Sequence, residues 1–189
     1  MIEKRGSRLL KNVDRYAGRF ILASLAILLW LKRYCPTRPS RDNENYLIIC
    51  FGAIGDLILL TQAAKSSLSG KRVFLVCSKS NHGCAKIYQD FYAGINAIDM
   101  RSVVSVHRVC EANKIDIVFD STQWANIGPI QTGLARLLGT RIEIIGFRSS
   151  GSLRNSIYNR LVTHDSEIHE VGNFLNLLAW DGSCNITSN

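Results

Sequence analysis

Asp56 is the residue of this chain whose type and position most directly suggest chemistry. It closes the segment Phe-Gly-Ala-Ile-Gly-Asp (51–56), which follows an apolar run and leads into a helix-period stripe that begins at Leu57. The carboxylate could cap that helix by accepting the free N–H groups of its first turn. It could instead be a general base that removes a proton from a hydroxyl group. Capping lowers the pKa of a carboxylate and a stronger base needs a higher one, so the two roles conflict, and local chemistry alone favours the cap.

Gly52 and Gly55 precede this aspartate with a spacing of three. The pattern is neither GxGxxG nor GxxxxGKS/T, so it matches neither the dinucleotide-binding fingerprint nor the phosphate-binding P-loop. Glycines at these positions allow a sharp backbone turn and the close approach of a ligand. They predict a loop that shapes a binding site beneath Asp56.

Further polar residues follow other apolar runs. Gln123 and Trp124 come after the run that ends at Asp120, and an amide beside an indole either binds a sugar or packs the loop. Asp120 itself is either a second acid or the cap of the next turn. Arg148 and Arg154, with serines between them, either bind phosphate through their planar guanidinium groups or form a solvated basic loop.

The segment His-Asp-Ser-Glu-Ile-His-Glu (164–170) contains two histidines five positions apart and no HExxH motif. Histidines at that spacing do not share a helix face as zinc ligands would. An N-cap at Asp165 or Ser166, with Glu167 and Glu170 in the first turn of a helix, explains the same residues. No metal site is predicted.

The formal net charge of +8 is concentrated in the first 41 residues, which hold ten Lys and Arg against two Asp and Glu. Residues 42–189 hold thirteen of each. A neutral body without a nucleic-acid-binding motif argues against DNA or RNA as a partner. The cysteines form no CxxC pair, which predicts a reducing compartment and no zinc. The six are Cys35, Cys50, Cys77, Cys84, Cys110 and Cys184.

Residues 1–41 form a basic arm and linker in front of the body at 42–189. The basic side chains of the arm fall on one helical stripe, which consists of Lys4, Arg8, Lys11, Arg15 and Arg19. The apolar run 20–31 follows and is too short to cross a hydrocarbon core that needs about 20 residues. It lacks a small-x-small cleavage site, so a removable signal peptide is not predicted. We expect residues 4–33 to lie on an anionic membrane surface, the alternative being a helix packed on its own protein or on a partner domain.

The body alternates short apolar runs with helix-period segments, the pattern of parallel strands joined by helical crossovers. Strands are predicted at 46–51, 72–78, 116–121 and 141–147, with a weaker candidate at 102–106. Helices are predicted after Asp56 and near 83–93, 105–113, 126–138, 152–162 and 167–180. The fold class is therefore α/β, a Rossmann-like doubly wound parallel sheet. Its ligands would lie at the carboxyl ends of the strands, near a switch in strand order, where the polar loops come together.

The segment Tyr-Leu-Ile-Ile-Cys-Phe-Gly-Ala-Ile-Gly-Asp (46–56) resembles the opening of the glycosyltransferase family nine proteins, the heptosyltransferases that build lipopolysaccharide core. Three later segments resemble the family in the same order, at 114–127, 134–147 and 169–182. The resemblance covers about residues 46–182, and the Gly-Ala-Ile-Gly-Asp turn is its most specific part.

The resemblance implies the N-terminal half of a GT-B fold, an acceptor-side domain that faces a second domain binding a nucleotide sugar. It implies an inverting transfer without metal or cofactor, from an ADP-heptose-like donor to lipopolysaccharide core or a similar glycan, on the cytoplasmic side of the membrane. Asp56 falls on the family's proposed base, and this shifts the balance from cap to base. The resemblance and the loop positions together predict a set of acceptor-binding residues. These are Gly52, Ala53, Ile54, Gly55, Gln123, Trp124, Arg148 and Arg154.

Family members are nearly twice as long as this 189-residue chain, which ends about where the first domain would give way to the second. We therefore expect the donor-binding domain to be absent and the chain alone to be inactive, because a transferase without donor positioning loses the orientation of its reactants. A separate donor-binding domain is an expected partner. The alternative is a non-catalytic Rossmann-like binding module held at the membrane surface.

Overall fold

The computed structural model of the chain describes residues 8–32, 44–99, 102, 104–123, 126–138, 142–150 and 152–179. These residues contain a six-stranded parallel sheet with helices on both faces, which confirms the predicted α/β class. The strands are β1 (Asn45–Cys50), β2 (Arg72–Ser78), β3 (Gly94–Ile98), β4 (Ile117–Asp120), β5 (Glu143–Phe147) and β6 (Arg160–Val162). The helices are α1 (Arg8–Lys32), α2 (Ile54–Ser67), α3 (His82–Ala85), α4 (Ser105–Asn113), α5 (Ile127–Leu138), α6 (Ser152–Asn155) and α7 (Glu170–Leu178), with a 3-10 turn at Lys86–Tyr88.

The strand order β3-β2-β1-β4-β5-β6 places β1 and β4 side by side at the centre of the sheet. The chain moves outward from β1 to β3 on one side, crosses back to β4, and moves outward again on the other side. Every neighbouring pair is parallel, so all strands point their carboxyl ends to the same edge. The loops after β1 and β4 lead to helices on opposite faces at this switch in order, which leaves a crevice between them.

The central strands carry continuous apolar side chains because helices cover both faces of the sheet. On one face, α2 contributes Leu57 and Leu60 and α7 contributes Phe174 to the core. On the other face, α4 contributes Val106 and α5 contributes Ala135. The two cores fix the positions at which the loops leave the carboxyl edge.

The N-terminal helix α1 packs on the outside of α5. Leu22, Leu25 and Leu29 are buried against Ile130 of α5 and against Ile157. Their spacing of three and four residues places the leucines on one stripe of the helix. One face of the arm is therefore packed on its own protein, as the alternative prediction for this segment states.

The helix α1 runs in the same direction as α5. A Cβ placed on Gly18 would lie 3.1 Å from Nδ2 of Asn126, and one placed on Gly133 would lie 3.5 Å from Cδ1 of Leu25. Gly18 and Leu25 are seven residues apart, as are Asn126, which directly precedes α5, and Gly133, so the two helices run in the same direction. Residues 8–17 of α1 therefore extend beyond Asn126, on the side of the sheet's carboxyl edge.

The opposite face of α1 exposes large apolar side chains. Phe20 is 76% exposed, Ile27 is 62% exposed and Trp30 is 57% exposed, with Leu28 and Leu31 also exposed. Within the described ranges, no helix, α1 included, combines the length and the apolar character needed to cross a membrane.

The strand candidate at 102–106 is wrong. Ser105 begins α4, and the strand of this region is β3 at 94–98. Four of the five residues of β3 are only half-buried, because β3 is an edge strand of the sheet. Its apolar signal is correspondingly weak. The helix predicted at 83–93 is limited to α3 and the 3-10 turn that ends at Tyr88.

The helix predicted at 152–162 is also wrong in its second half. The helix α6 ends at Asn155, and the chain turns through the buried side chains of Ile157 and Tyr158 into β6. The N–H of Asn159 donates to the carbonyl oxygen of Ile144 at 2.8 Å, which brings β6 alongside β5. Ile157 and Tyr158 therefore belong to a tight turn and not to the predicted helix.

Candidate active site

A cavity of about 270 Å³ opens at the carboxyl edge of the sheet. The loops after β1 and β4, which flank the switch in strand order, form its walls together with the start of α7. Its lining consists of Phe51, Gly52, Asp56, Ser121, Thr122, Gln123, His164, Glu170 and Phe174. Two aromatic rings lie among carboxylate, hydroxyl, amide and imidazole groups, a combination that suits a small polar ligand with an apolar side.

Asp56 is half-buried in this cavity and is the third residue of α2. Its Oδ2 accepts a hydrogen bond from the N–H of Ala53 at 2.9 Å. Ala53 is the N-cap residue, so Asp56 does not occupy the N-cap position of the capping alternative, and its carboxylate instead accepts a hydrogen bond from the backbone of the cap residue. In the described part of the chain Oδ1 accepts no hydrogen bond, which leaves this oxygen available to a ligand.

Gly52 fits beneath the Asp56 carboxylate because it has no side chain. A Cβ at residue 52 would overlap Oδ2 of Asp56, whereas a Cβ at Gly55 would meet nothing within 4 Å. The carbonyl oxygen of Gly52 accepts a hydrogen bond from Nδ2 of Asn81 at 2.8 Å, which ties the turn to the loop after β2. The two glycines of the motif therefore have different roles, and only the first is required sterically.

Gln123, Glu170 and His164 form a hydrogen-bonded chain in the cavity lining. Nε2 of Gln123 donates to Oε1 of Glu170 at 2.7 Å. Oε2 of Glu170 lies 2.9 Å from Nε2 of His164. Both oxygens of Glu170 are thus engaged by side chains, and its carboxylate is a second fixed acidic group beside Asp56.

The neighbours of His164 assign the proton on its Nε2. Nδ2 of Asn173 lies 3.2 Å from the same nitrogen. The orientation of the Asn173 amide is set by Asp165, whose N–H donates to Oδ1 at 2.9 Å and whose carbonyl oxygen accepts from Nδ2 at 2.9 Å. An ionised carboxylate only accepts hydrogen bonds, so Glu170 is bonded to His164 when Nε2 carries the proton and donates it. In that tautomer the contact of Nε2 with Asn173 Nδ2, which is itself a donor, is not a hydrogen bond.

Neither His164 nor Glu170 is predicted from the sequence as a site residue. The predicted N-cap of α7 at Asp165 or Ser166 is wrong, because the helix begins at Glu170 and its N-cap is His169, whose Nδ1 accepts a backbone N–H at 3.3 Å. The missed signal is a pair of polar residues placed between the end of a strand and the first turn of a helix. In the described residues no group of three or more His, Cys, Asp or Glu is arranged to hold a metal ion.

Asp120 is fully buried and is not part of the cavity lining. Its Oδ1 accepts the N–H of Thr122 at 2.9 Å, and its Oδ2 accepts the hydroxyl of Tyr158 at 3.0 Å. Burial raises the pKa of this carboxyl, and the nearby Arg154 guanidinium opposes the shift only in part. Of the two predicted roles, Asp120 has the structural one, because it caps the turn that follows β4.

The two arginines predicted to bind phosphate lie outside the cavity lining. Arg148 is exposed on the loop after β5, and phosphate binding there stays a prediction. Arg154 is only 7% exposed, and its Nη1 donates to the carbonyl oxygen of Gln123 at 2.6 Å. A guanidinium this buried is not part of a solvated basic loop, and phosphate binding by Arg154 stays a prediction. Its guanidinium instead holds the loop that carries Gln123.

The remaining predicted acceptor-binding residues divide into three groups. Gly52 and Gln123 line the cavity together with Asp56. Residues 53–55 are exposed beside the cavity and are not part of its lining, so their contact with an acceptor stays a prediction. Trp124 lies outside the described residues.

No protein-family model and no curated protein matches the sequence of this chain. Among solved structures it is similar to the heptosyltransferase WaaC of E. coli with ADP, with a TM-score of 0.56 and 17% identity over 71% of this chain and 46% of that one. For WaaC with ADP-2-deoxy-2-fluoro heptose the TM-score is 0.52 and the identity is 16%, over 71% of this chain and 47% of that one. For a glycosyl transferase family 9 structure from Veillonella parvula the TM-score is 0.57 and the identity is 14%, over 72% of this chain and 40% of that one.

These similarities confirm the Rossmann-like fold and the structural likeness to heptosyltransferase and family 9 proteins that the sequence predicts. The chain spans less than half the length of each of these proteins. At identities of 14 to 17%, the likeness establishes the fold, and the reaction has to be argued from the site.

Proposed function

We propose that this chain is the acceptor-side domain of an inverting glycosyltransferase of the heptosyltransferase type. The observation that carries the proposal is the carboxylate of Asp56, which lines a cavity beside the switch in strand order and keeps one oxygen without a hydrogen bond from the described residues. Ligands of doubly wound sheets bind at this position. The fold similarity to heptosyltransferase structures supports the choice of reaction.

In the proposed mechanism Asp56 is the general base. The Ala53 N–H holds Oδ2, and Oδ1 accepts the proton of an acceptor hydroxyl. The hydroxyl oxygen attacks the anomeric carbon of a nucleotide sugar from the face opposite the nucleotide. The bond from that carbon to the nucleotide diphosphate breaks, the diphosphate leaves with the bonding electrons, and the configuration is inverted. The proposal includes no metal ion or cofactor.

The donor and acceptor follow from the same proposal. An ADP-heptose-like donor is suggested by the ADP and ADP-2-deoxy-2-fluoro heptose named with the two WaaC structures. A second, donor-binding domain is the proposed partner, without which the chain would be inactive. Lipopolysaccharide core or a similar glycan is the proposed acceptor.

We also propose that the outer face of α1 lies on the anionic inner surface of the cytoplasmic membrane. Phe20, Ile27 and Trp30 are exposed on this helix, as is the neighbouring Arg19. Aromatic rings favour the boundary between head groups and acyl chains, and basic residues are attracted to anionic lipid. The Lys and Arg excess of residues 1–41 supports the same surface.

The alternative function is a non-catalytic binding module held at the same membrane surface. The hydrogen bond from Ala53 favours this alternative, because it gives Asp56 a structural reason to be present without any catalytic role.

Sugar transfer by the full chain, supplemented with a heptosyltransferase donor-binding domain, tests between the two functions. Asp56→Asn keeps an acceptor for the Ala53 N–H but loses the base, so we expect the initial rate to fall by about a hundredfold or more. Asp90→Asn is the matched control, because Asp90 is exposed and lies outside the cavity lining. Equal rates for the parent and Asp56→Asn would remove Asp56 from the mechanism and favour the binding module.

A further inference from the structure

The cavity carries two carboxylates, and no lysine or arginine is among its described lining residues. Asp56 and Glu170 are the carboxylates, and His164 is the one lining side chain that can become a cation. With a neutral imidazole the lining is dianionic, and with a protonated one it still carries a net negative charge. The cavity is therefore acidic in either state of His164.

Glu170 is a fixed part of this acidic lining. Gln123 and His164 hold its two oxygens at 2.7 and 2.9 Å, so the carboxylate turns away only if both hydrogen bonds break. The Gln123 backbone is held in turn by Arg154. Glu170 is also the first residue of α7, where the helix dipole interacts favourably with a negative charge.

The two described arginines on neighbouring elements leave this negative charge unbalanced. Arg154 is buried outside the cavity lining, and its Nη1 donates to the carbonyl oxygen of Gln123. Arg148 is exposed and does not line the cavity. An anionic group that entered would meet two carboxylates without a paired cation from the described lining.

We propose that the sugar unit entering this cavity is uncharged or carries an amino group, and that Glu170 sets this specificity. The proposal rests on the acceptor role proposed above and names the chemical class of the acceptor unit. Hydroxyl and ammonium groups donate hydrogen bonds to carboxylates, whereas a sugar carboxylate or phosphate places a like charge beside them. Any acidic groups of a larger acceptor would lie outside the cavity.

The test titrates the full ¹⁵N-labelled chain with methyl glucoside, glucosamine, glucuronate and glucose 6-phosphate at neutral pH and constant ionic strength. Amide shifts of Ala53, Thr122 and Val171 report binding in the cavity. We expect the first two sugars to bind at least about tenfold more tightly than the two acids. Glucuronate or glucose 6-phosphate binding as tightly as methyl glucoside overturns the specificity and leaves the acceptor role standing.

Two variants separate Glu170 from a general effect of charge. Glu170→Gln removes the charge but keeps an acceptor for Gln123, and we expect the preference against the acids to fall at least about threefold. Glu167→Gln is the matched control, because Glu167 is exposed on the same segment and does not line the cavity. An equal fall in the preference against the acids in Glu170→Gln and Glu167→Gln overturns the assignment to Glu170. No shift at the three amides with any sugar contradicts the acceptor role and, with it, the specificity.

Discussion

A side chain at Gly52 would occupy the space of the Asp56 carboxylate, since a Cβ there would overlap Oδ2. The glycine is needed for this close approach and not for an unusual backbone angle, because Gly70 is the described glycine with a positive φ. Gly52 and Asp56 therefore act as a unit, in which the missing side chain of one residue sets the position of the other.

We expect Gly52→Ala to displace the Asp56 carboxylate. The initial rate of sugar transfer, measured with an added donor-binding domain, should fall at least about tenfold, because small displacements of a reacting group are costly. The overlap should also lower the free energy of unfolding by about 1 to 3 kcal/mol in urea titrations. Gly55→Ala is the control, since the same methyl group enters open space within a helix. It should leave stability unchanged or raise it by up to about 1 kcal/mol. Equal losses in both variants would contradict a specific role for Gly52.

We expect Leu25→Ala to lower the free energy of unfolding by about 2 to 5 kcal/mol, because it opens a cavity between α1 and α5. Leu28→Ala removes the same atoms from the exposed face of α1 and should change stability by about 0.5 kcal/mol or less. Chemical denaturation followed by circular dichroism measures both values. Similar small effects would show that α1 is not packed on the body in solution.

The outer face of α1 should be required for membrane binding. The triple variant Phe20→Ser, Ile27→Ser, Trp30→Ser removes three exposed apolar side chains and leaves the buried leucine stripe in place. In flotation with anionic vesicles, we expect the parent to rise with the lipid and the triple variant to remain in the soluble fraction. Ile87→Ser, at an equally exposed site on the 3-10 turn, should float like the parent. Continued flotation of the triple variant would reject this face as the membrane contact.

Stability should fall in alkaline solution. Burial raises the pKa of the Cys50 thiol to about 12 and that of the Cys110 thiol to about 12, against 9.0 for an ordinary thiol. At pH values between 9 and about 12, the two thiols of the unfolded chain lose protons that the folded chain retains. The free energy of unfolding is therefore unaffected by these groups below pH 9 and falls as the pH rises towards 12, by up to about 1.4 kcal/mol per pH unit for each thiol. Urea unfolding at several pH values measures the slope, and Cys50→Ala should make it shallower. An unchanged slope would show that the Cys50 thiol does not contribute.

The central part of the fold could be predicted from the sequence because its strands are covered on both faces. β1 and β4 contain the uninterrupted apolar runs 46–50 and 117–119, and α5 lies within one residue of its predicted bounds. The edge strands β3 and β6 could not be predicted in the same way. β3 is half-buried and β6 has three residues, so neither carries a strong pattern of its own.

The site residues also differ in how far the sequence could predict them. Asp56 and Gly52 belong to one local turn, and the resemblance of that turn to the family nine proteins singles them out, since local chemistry alone favours a cap. His164 and Glu170 enter the cavity because α7 packs beside α2 and begins later than its capping pattern suggests. Arg154 follows a strand in the way an exposed loop residue would, and only the tertiary fold shows that it is buried beside Asp120.

The parallel course of α1 and α5 also decides how the body would rest on a lipid surface. Crossover helices such as α5 run roughly antiparallel to the strands they connect. Because α1 runs in the same direction as α5, its axis is also nearly antiparallel to the strands. With its outer face on a bilayer, the strands would lie along the membrane, and the opening next to Asp56 would face sideways, about 20 Å above the head groups because α1 and α5 lie between them. A glycan on a lipid of the same leaflet would then reach Asp56 only if its sugar chain extended past these two helices.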